Sequence, residues 1–205
     1  MRIGILGGSF DPVHVGHLIL AEQCRQQADL DEVRLIPCAT NPLKPAGATG
    51  TDRQRCEMIE LAIAGNQNFV LDRRELDRGD ISYTVETLRE LTTEHPEDQL
   101  FLIMGADSLA GLPRWREPEE ICRLAIPLVV RRPGAPPVDL STIEPWVDRQ
   151  RWETILASQI ESPLIEISST DLRSRIHELR TIRYLVPRAV EQYIQTQRLY
   201  QRATD

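Results

Sequence analysis

The sequence predicts an α/β fold: a doubly wound, mostly parallel sheet with helices on both faces, in a single domain. Three observations carry that prediction. Short apolar runs alternate with helical patterns along the chain, the order that βαβ units produce. Several runs, Leu100–Met104 above all, are apolar throughout, as buried strands are. Three of the runs lead into Gly- or hydroxyl-rich turns, and in parallel sheets ligands sit beyond the carboxyl ends of strands.

The elements follow in order. Arg2–Leu6 reads as a buried strand stopped by Gly7-Gly8. Val15 to about Gln27 has helical spacing, with Leu18, Leu20, Ala21 and Cys24 near one stripe. Val33–Pro37 is a second strand. Asn41 to Thr51, rich in Pro, Gly and Thr, is a loop. Asp52 caps a helix to about Ala64, and Phe69–Leu71 is a strand. Thr84–Thr93 is helical, Leu100–Met104 a strand, and Pro118–Arg123 a short helix. Ala125–Val130 is a strand whose Pro127 suits an edge or an irregular start. Ser141–Trp146 fits no element. Leu164–Ile167 reads as a strand, Thr170–Ile176 as a helix, and Pro187–Gln197 as a terminal helix with Pro in its first turn. This is a Rossmann-like arrangement.

Composition bounds the function. The 205 residues suffice for one domain, and the net charge of −7 argues against a broad surface for nucleic acid or anionic membrane. No apolar stretch is long enough to span a bilayer, and no secretory pattern opens the chain. Cys24, Cys38, Cys56 and Cys122 form no C-x-x-C pair and read as reduced thiols, so a cytoplasmic location is expected. Lys44 is the only lysine in the sequence.

Gly7 to His17 reads G-G-S-F-D-P-V-H-V-G-H. Two glycines after a strand let a backbone pass close to a ligand and expose N–H groups. His14 and His17 lie three apart at a helix start, itself an anion site. Together they form a cradle for a polyphosphate. A metal site is the rival reading, but His95 and His177 lie elsewhere, without ligand spacing. The second segment, Ile167-Ser168-Ser169-Thr170-Asp171-Leu172-Arg173, places hydroxyls at a helix start. Ordinary N-capping explains part of it. Arg173, one turn on, makes it a second anion cradle.

These two segments resemble the signature motifs of the H-x-G-H nucleotidyltransferases, and more closely the nicotinate-nucleotide adenylyltransferase branch. Asn41-Pro42-Leu43-Lys44, Ser82-Tyr83-Thr84, Gly105-Ala106-Asp107-Ser108-Leu109 with Trp115, Arg132-Pro133-Gly134 and Tyr184-Leu185-Val186-Pro187 fit the same branch. The resemblance implies transfer of the adenylyl group of ATP to nicotinate mononucleotide, giving deamido-NAD and pyrophosphate, with Mg²⁺. It makes residues 1–205 one nucleotidyltransferase domain, with helices over about 170–200 completing the ATP site. His14 and His17 would contact the ATP phosphates, with Lys44 and Arg173 as further catalytic candidates. Gly7, Gly8, Ser9, Phe10, Gly16, Gly105, Asp107, Ser168, Ser169 and Thr170 would bind ATP. Asn41, Thr84, Trp115 and Arg132 would face the mononucleotide. Residues Ala135 to Ser162 match no motif, and Leu179 or Arg180 stands where the family usually has glycine.

The residues themselves favour direct in-line transfer. The chain shows no Ser or Cys nucleophile with a base beside it, and an attacking phosphate is already ionised. Lys44, on a Pro/Gly loop, could reach a phosphate or be a solvated lysine. Trp115 could wall a pyridine ring or pack in the core. Arg131 and Arg132 could bind a phosphate or carboxylate or end a strand in solvent. Other readings are an adenylyltransferase acting on nicotinamide mononucleotide or phosphopantetheine, a cytidylyl acceptor enzyme, a class I aminoacyl-tRNA synthetase fragment, and a non-catalytic nucleotide-binding module. Neither nucleic acid nor membrane is expected as a partner, and a homo-oligomer is left open.

Overall fold

The computed structural model describes residues 1–42, 47–131, 138–163 and 165–202. Six parallel strands stand in the order β3-β2-β1-β4-β5-β6. They are β1 (Arg2–Gly8), β2 (Glu32–Pro37), β3 (Phe69–Leu71), β4 (Gln99–Gly105), β5 (Ala125–Arg131) and β6 (Ile160–Glu161). The helices are α1 (Val15–Gln27), α2 (Asp52–Ile63), α3 (Arg74–Arg78), α4 (Thr84–Glu94), α5 (Ala106–Gly111), α6 (Pro118–Leu124), α7 (Arg149–Ala157), α8 (Ser169–His177) and α9 (Arg188–Thr196).

β1 is the hinge of the topology. Ile3 pairs with Glu32 on one side and Leu100 on the other. The chain winds outward through β2 and β3, then returns to the far side of β1 as β4. Strand order therefore reverses between β1 and β4, where a crevice opens at the carboxyl ends. Successive strand residues point to opposite faces, and every residue from Leu100 to Met104 is buried, so both faces are covered. Side chains such as Ile3, Phe101 and Leu128 each contribute about 1.5–3 kcal/mol by leaving water.

Most predicted elements are present. Thr51, not Asp52, caps α2: its hydroxyl accepts from the Gln54 N–H at 3.3 Å, and Gln54 Oε1 accepts from the Thr51 N–H at 2.9 Å. Pro187 is the N-cap of α9 rather than part of its first turn. The last strand is misplaced in the sequence reading. It is Ile160–Glu161, paired with Val130 and Arg131, and residues 165–167 form no strand. Only these two residues pair with β5, and Pro163 then withholds an N–H from the ladder. Ser168-Ser169-Thr170 therefore follows an irregular stretch and not a strand end. At Pro127 β5 pairs with β4 alone, so its missing N–H costs no β6 bond.

Three short helices escape the pattern. α3 and α5 have only five and six residues. α7 buries only Ile155, although Asp148 caps it by accepting from the Arg151 N–H at 2.8 Å. Within Ser141–Trp146 a 3₁₀ turn spans Glu144–Trp146.

Candidate active site

Beyond β1 the chain turns sharply. Phe10 has φ 47, a left-handed conformation, and its ring is buried. The next peptide, Asp11–Pro12, is cis. The turn delivers His14 to the N-cap of α1 and His17 to the third helical position, which face one another in any helix start. The backbone N–H of His14 donates to His17 Nδ1 at 3.2 Å. The two rings stack with centroids 3.7 Å apart, and Phe10 meets His17 edge-on at 4.9 Å.

That hydrogen bond assigns a tautomer. Because Nδ1 of His17 accepts, Nε2 carries the proton of the neutral ring. Burial pushes His17 down to about 3, helped by the neighbouring His14, and burial alone pushes His14 down to about 4. Both are neutral at pH 7, so they act as directional donors without full charge. His14 Nδ1 is buried with no partner. A Cβ on Gly16 would lie 3.0 Å from that atom and 3.1 Å from Cε1, so Gly16 gives the ring its space.

α8 packs against the same turn. Ser169 and Arg173 lie four apart, on one helix face. Ser169 Oγ donates to the Pro12 carbonyl at 2.9 Å. Arg173 Nη1 donates to the Asp11 carbonyl at 2.7 Å, and its Nη2 lies 3.4 Å from Thr170 Oγ1. Ser168 is the N-cap, its Oγ accepting from the Asp171 N–H at 3.1 Å. Both serine hydroxyls thus have protein partners, Ser168 in the cap and Ser169 in the turn before α1. Leu185 ties the C-terminal segment to the site, its carbonyl accepting from the Val15 N–H at 3.0 Å.

Gly7, next to last in β1, and Gly105, last in β4, lie at the ends of the two strands that flank the reversal, and both are exposed. Among the described residues, and apart from each glycine's own chain neighbours, no atom lies within 4 Å of a Cβ built on either. The protein's own packing therefore does not require glycine there; a close ligand would. Gly8 and Ser9 are half-buried, and Asp107 is exposed in the first turn of α5. An open cleft of about 180 Å³ joins Gly105 to Gly16, Leu20, Val130, Pro163 and Ile165. A larger groove between α1 and the end of α2 contains none of these site residues.

The second group of residues lies along the exit of β2. Ser82 Oγ accepts from the Ala39 N–H at 2.9 Å, and the Thr40 carbonyl accepts from the Ser82 N–H at 2.9 Å. This brings Asn41 beside the segment that starts α4 at Thr84. Buried Glu75 anchors the same segment, accepting from Thr87 Oγ1 at 2.7 Å; its carboxyl is pushed upward by burial. The Arg116 guanidinium covers the Tyr83 ring at 4.7 Å, linking the neighbours of Trp115 and Thr84. Trp115 packs against the core, with its buried indole N–H unpartnered. Lys44 and Arg132 lie outside the described residues. Arg131 pairs with Glu161.

Sequence reasoning assigned no role to Asp11, Gly50, Arg55 or Tyr200. Arg55 is wholly buried; its Nη1 donates to the Ser9 carbonyl at 2.9 Å and its Nη2 to Asp52 at 2.6 Å. Asp11 stood inside the motif and was the one legible signal. The four cysteines are buried and unbridged, with Cys24 pushed up to about 12 and Cys122 to about 11 by burial.

A parallel sheet whose order reverses at β1, with phosphate-type donors gathered at the reversal, defines a nucleotide-binding α/β protein. The chain belongs to the cytidylyltransferase-like family, whose model matches residues 5–175. It is 47% identical over 198 residues to a Rhodopirellula baltica protein named "Probable nicotinate-nucleotide adenylyltransferase", covering 97% of this chain and 92% of that one. A protein of the same name from Roseiflexus castenholzii is 46% identical over 199 residues, covering 97% and 98%. The fold matches Plasmodium falciparum nicotinic acid mononucleotide adenylyltransferase complexed with NaAD, with TM-score 0.73 at 17% identity, over 97% of each chain. No helix among the described residues is long and apolar enough to cross a membrane.

Proposed function

We propose that this chain transfers the adenylyl group of ATP to nicotinate mononucleotide, giving deamido-NAD and pyrophosphate, a step of NAD biosynthesis. The observation that carries this reading is the joining of the two signature segments. Ser169 and Arg173 of α8 bond to the backbone carbonyls of Pro12 and Asp11, two and three residues before His14. Relatives more than 45% identical over nearly the whole chain bear the name of this activity.

The triphosphate lies between the walls. Nε2–H of His17 donates to its oxygens, and Arg173 supplies a fixed positive charge. A phosphate oxygen of the mononucleotide attacks the α-phosphorus in line, a P–O bond forms, and the bond to pyrophosphate breaks. The nucleophile carries no proton, so neutral imidazoles suffice; they stabilise charge on the α-phosphate and the departing pyrophosphate. Gly7, Gly8, Ser9 and Phe10 offer backbone to the nucleotide. Gly105, Asp107 and the cleft beside Gly16 border the adenosine. Asn41, Thr84 and Trp115 face the mononucleotide, with Lys44 and Arg132 assigned to the substrates by the family pattern alone.

Mg²⁺ fits this donor set in one way. The walls offer N–H groups, and no group of three His, Cys, Asp or Glu among the described residues could hold a metal ion. Mg²⁺ brought in with ATP would be held by phosphate oxygens and water, and would supply neutralisation of phosphate charge there. A pyrophosphate-release assay with ATP, Mg²⁺ and a panel of phosphorylated acceptors tests the function. Nicotinate mononucleotide should give the highest kcat/KM. Turnover only with phosphopantetheine or nicotinamide mononucleotide would overturn the choice of acceptor.

A further inference from the structure

Asp11 is 2% exposed, and its carboxylate faces the protein rather than the cleft. Oδ2 accepts from the Thr49 N–H at 2.7 Å, and Oδ1 accepts from the Gly50 N–H at 2.9 Å. The third donor comes from the far end of the chain: Tyr200 Oη, at 2.7 Å from Oδ1. Tyr200 reaches it from a turn after α9, held at φ 62, a conformation that an aromatic residue rarely adopts unless its surroundings impose it. Gly50 lies beneath the bond. A Cβ there would stand 2.9 Å from Asp11 Oδ1 and 3.2 Å from Tyr200 Oη.

Arg173 touches the same residue. Its Nη1 holds the Asp11 carbonyl at 2.7 Å and forms an ion pair with Oδ2 at 3.6 Å, longer than a hydrogen bond. The carboxylate is held by Gly50, Thr49 and Tyr200 while it pairs with Arg173 at longer range; without the Tyr200 bond it would close onto Arg173 as a hydrogen-bonded ion pair. That closure would draw the guanidinium away from phosphate oxygens.

We infer that Asp11 and Tyr200 form a positioning pair, in which the C-terminal hydroxyl keeps the buried carboxylate occupied so that Arg173 stays free for the triphosphate. The inference rests on α8 being a wall of the ATP site. Neither residue touches substrate; both act through Arg173.

The test is Tyr200→Phe in the full chain, which keeps the ring and removes the bond. KM for ATP should rise about fivefold, with kcat and the mononucleotide KM within about twofold of the native values. In an Arg173→Ala background the same substitution should change kcat/KM for ATP by less than about twofold, because its route of action is gone. Equal losses in both backgrounds, or a lower Tm with unchanged KM, would reduce Tyr200 to packing and overturn the pair. Should Tyr200→Phe fold poorly, Gly50→Ala parts the same two groups and must give the same ATP-specific effect. A native enzyme that turns over beside an unaffected Tyr200→Phe sinks the pair alone. A native chain that releases no pyrophosphate sinks the function, and the pair is then judged by ATP affinity in calorimetry, where the same fivefold loss is required.

Discussion

The two halves of the cleft are built differently. On the side proposed for the phosphates, residues 7–17 form one continuous segment from the end of β1 to the start of α1, bonded to α2 through Arg55, to α8 through Ser169 and Arg173, and to Tyr200. On the side proposed for the acceptor, Asn41, Thr84 and Trp115 come from separate segments and are linked through their neighbours Thr40, Ser82, Tyr83 and Arg116. The difference has a chemical reason. Phosphate chemistry needs donors fixed in place before the transition state forms. Acceptor choice needs only contacts that differ between ligands, and loops can supply those.

The strongest way to break the comparison is on the rigid side. His17→Ala should cost roughly 3 kcal/mol of barrier, on the order of a hundredfold in kcat, the scale of one lost preorganised donor. Rapid-quench measurement of pyrophosphate formation reads it, and near-normal kcat would remove His17 from the reaction. Gly16→Ala comes next: its Cβ pushes on the His14 ring at 3.0 Å, and kcat should fall on the order of tenfold through displacement.

A third prediction concerns pH. The folded histidines sit below their unfolded value, so between about 4 and 6.5 the unfolded chain binds more protons. Stability is full above 6.5 and is lost as pH falls through that window, by on the order of 1 kcal/mol per unit for each ring. Chemical denaturation from pH 7 to 5 should show this decline, and His14→Asn should flatten it. An equal slope in that variant would place the acid sensitivity elsewhere.

The smallest effect sharpens the contrast from the other side. Thr84→Ala should raise KM for the mononucleotide a few-fold and leave KM for ATP unchanged, as seen in two-substrate initial rates. A matching rise for ATP would mean that the two halves are not independent.

Much of the fold was legible because buried parallel strands write themselves as apolar runs. Gly7 and Gly105 mark the strand ends, and the i, i+3 spacing of His14 and His17 marks a helix start. The strand assigned to Leu164–Ile167 failed because an apolar run can be buried without pairing, and here only Ile160–Glu161 meets β5. Arg55 gave no signal at all. An arginine in an amphipathic helix looks solvated until a distant carbonyl, that of Ser9, is brought to it.

The sequence by itself determined the alternation of strands and helices and the placing of both motif segments at helix starts, since periodicity, glycine placement and helix-start chemistry are local properties of a chain. Only the tertiary structure decided that α8 bonds to the turn before α1, that His14 and His17 are neutral, and that Tyr200 reaches Asp11. Those facts depend on contacts between residues up to 189 positions apart and on how far each group is removed from water, and neither is a function of neighbouring residues alone.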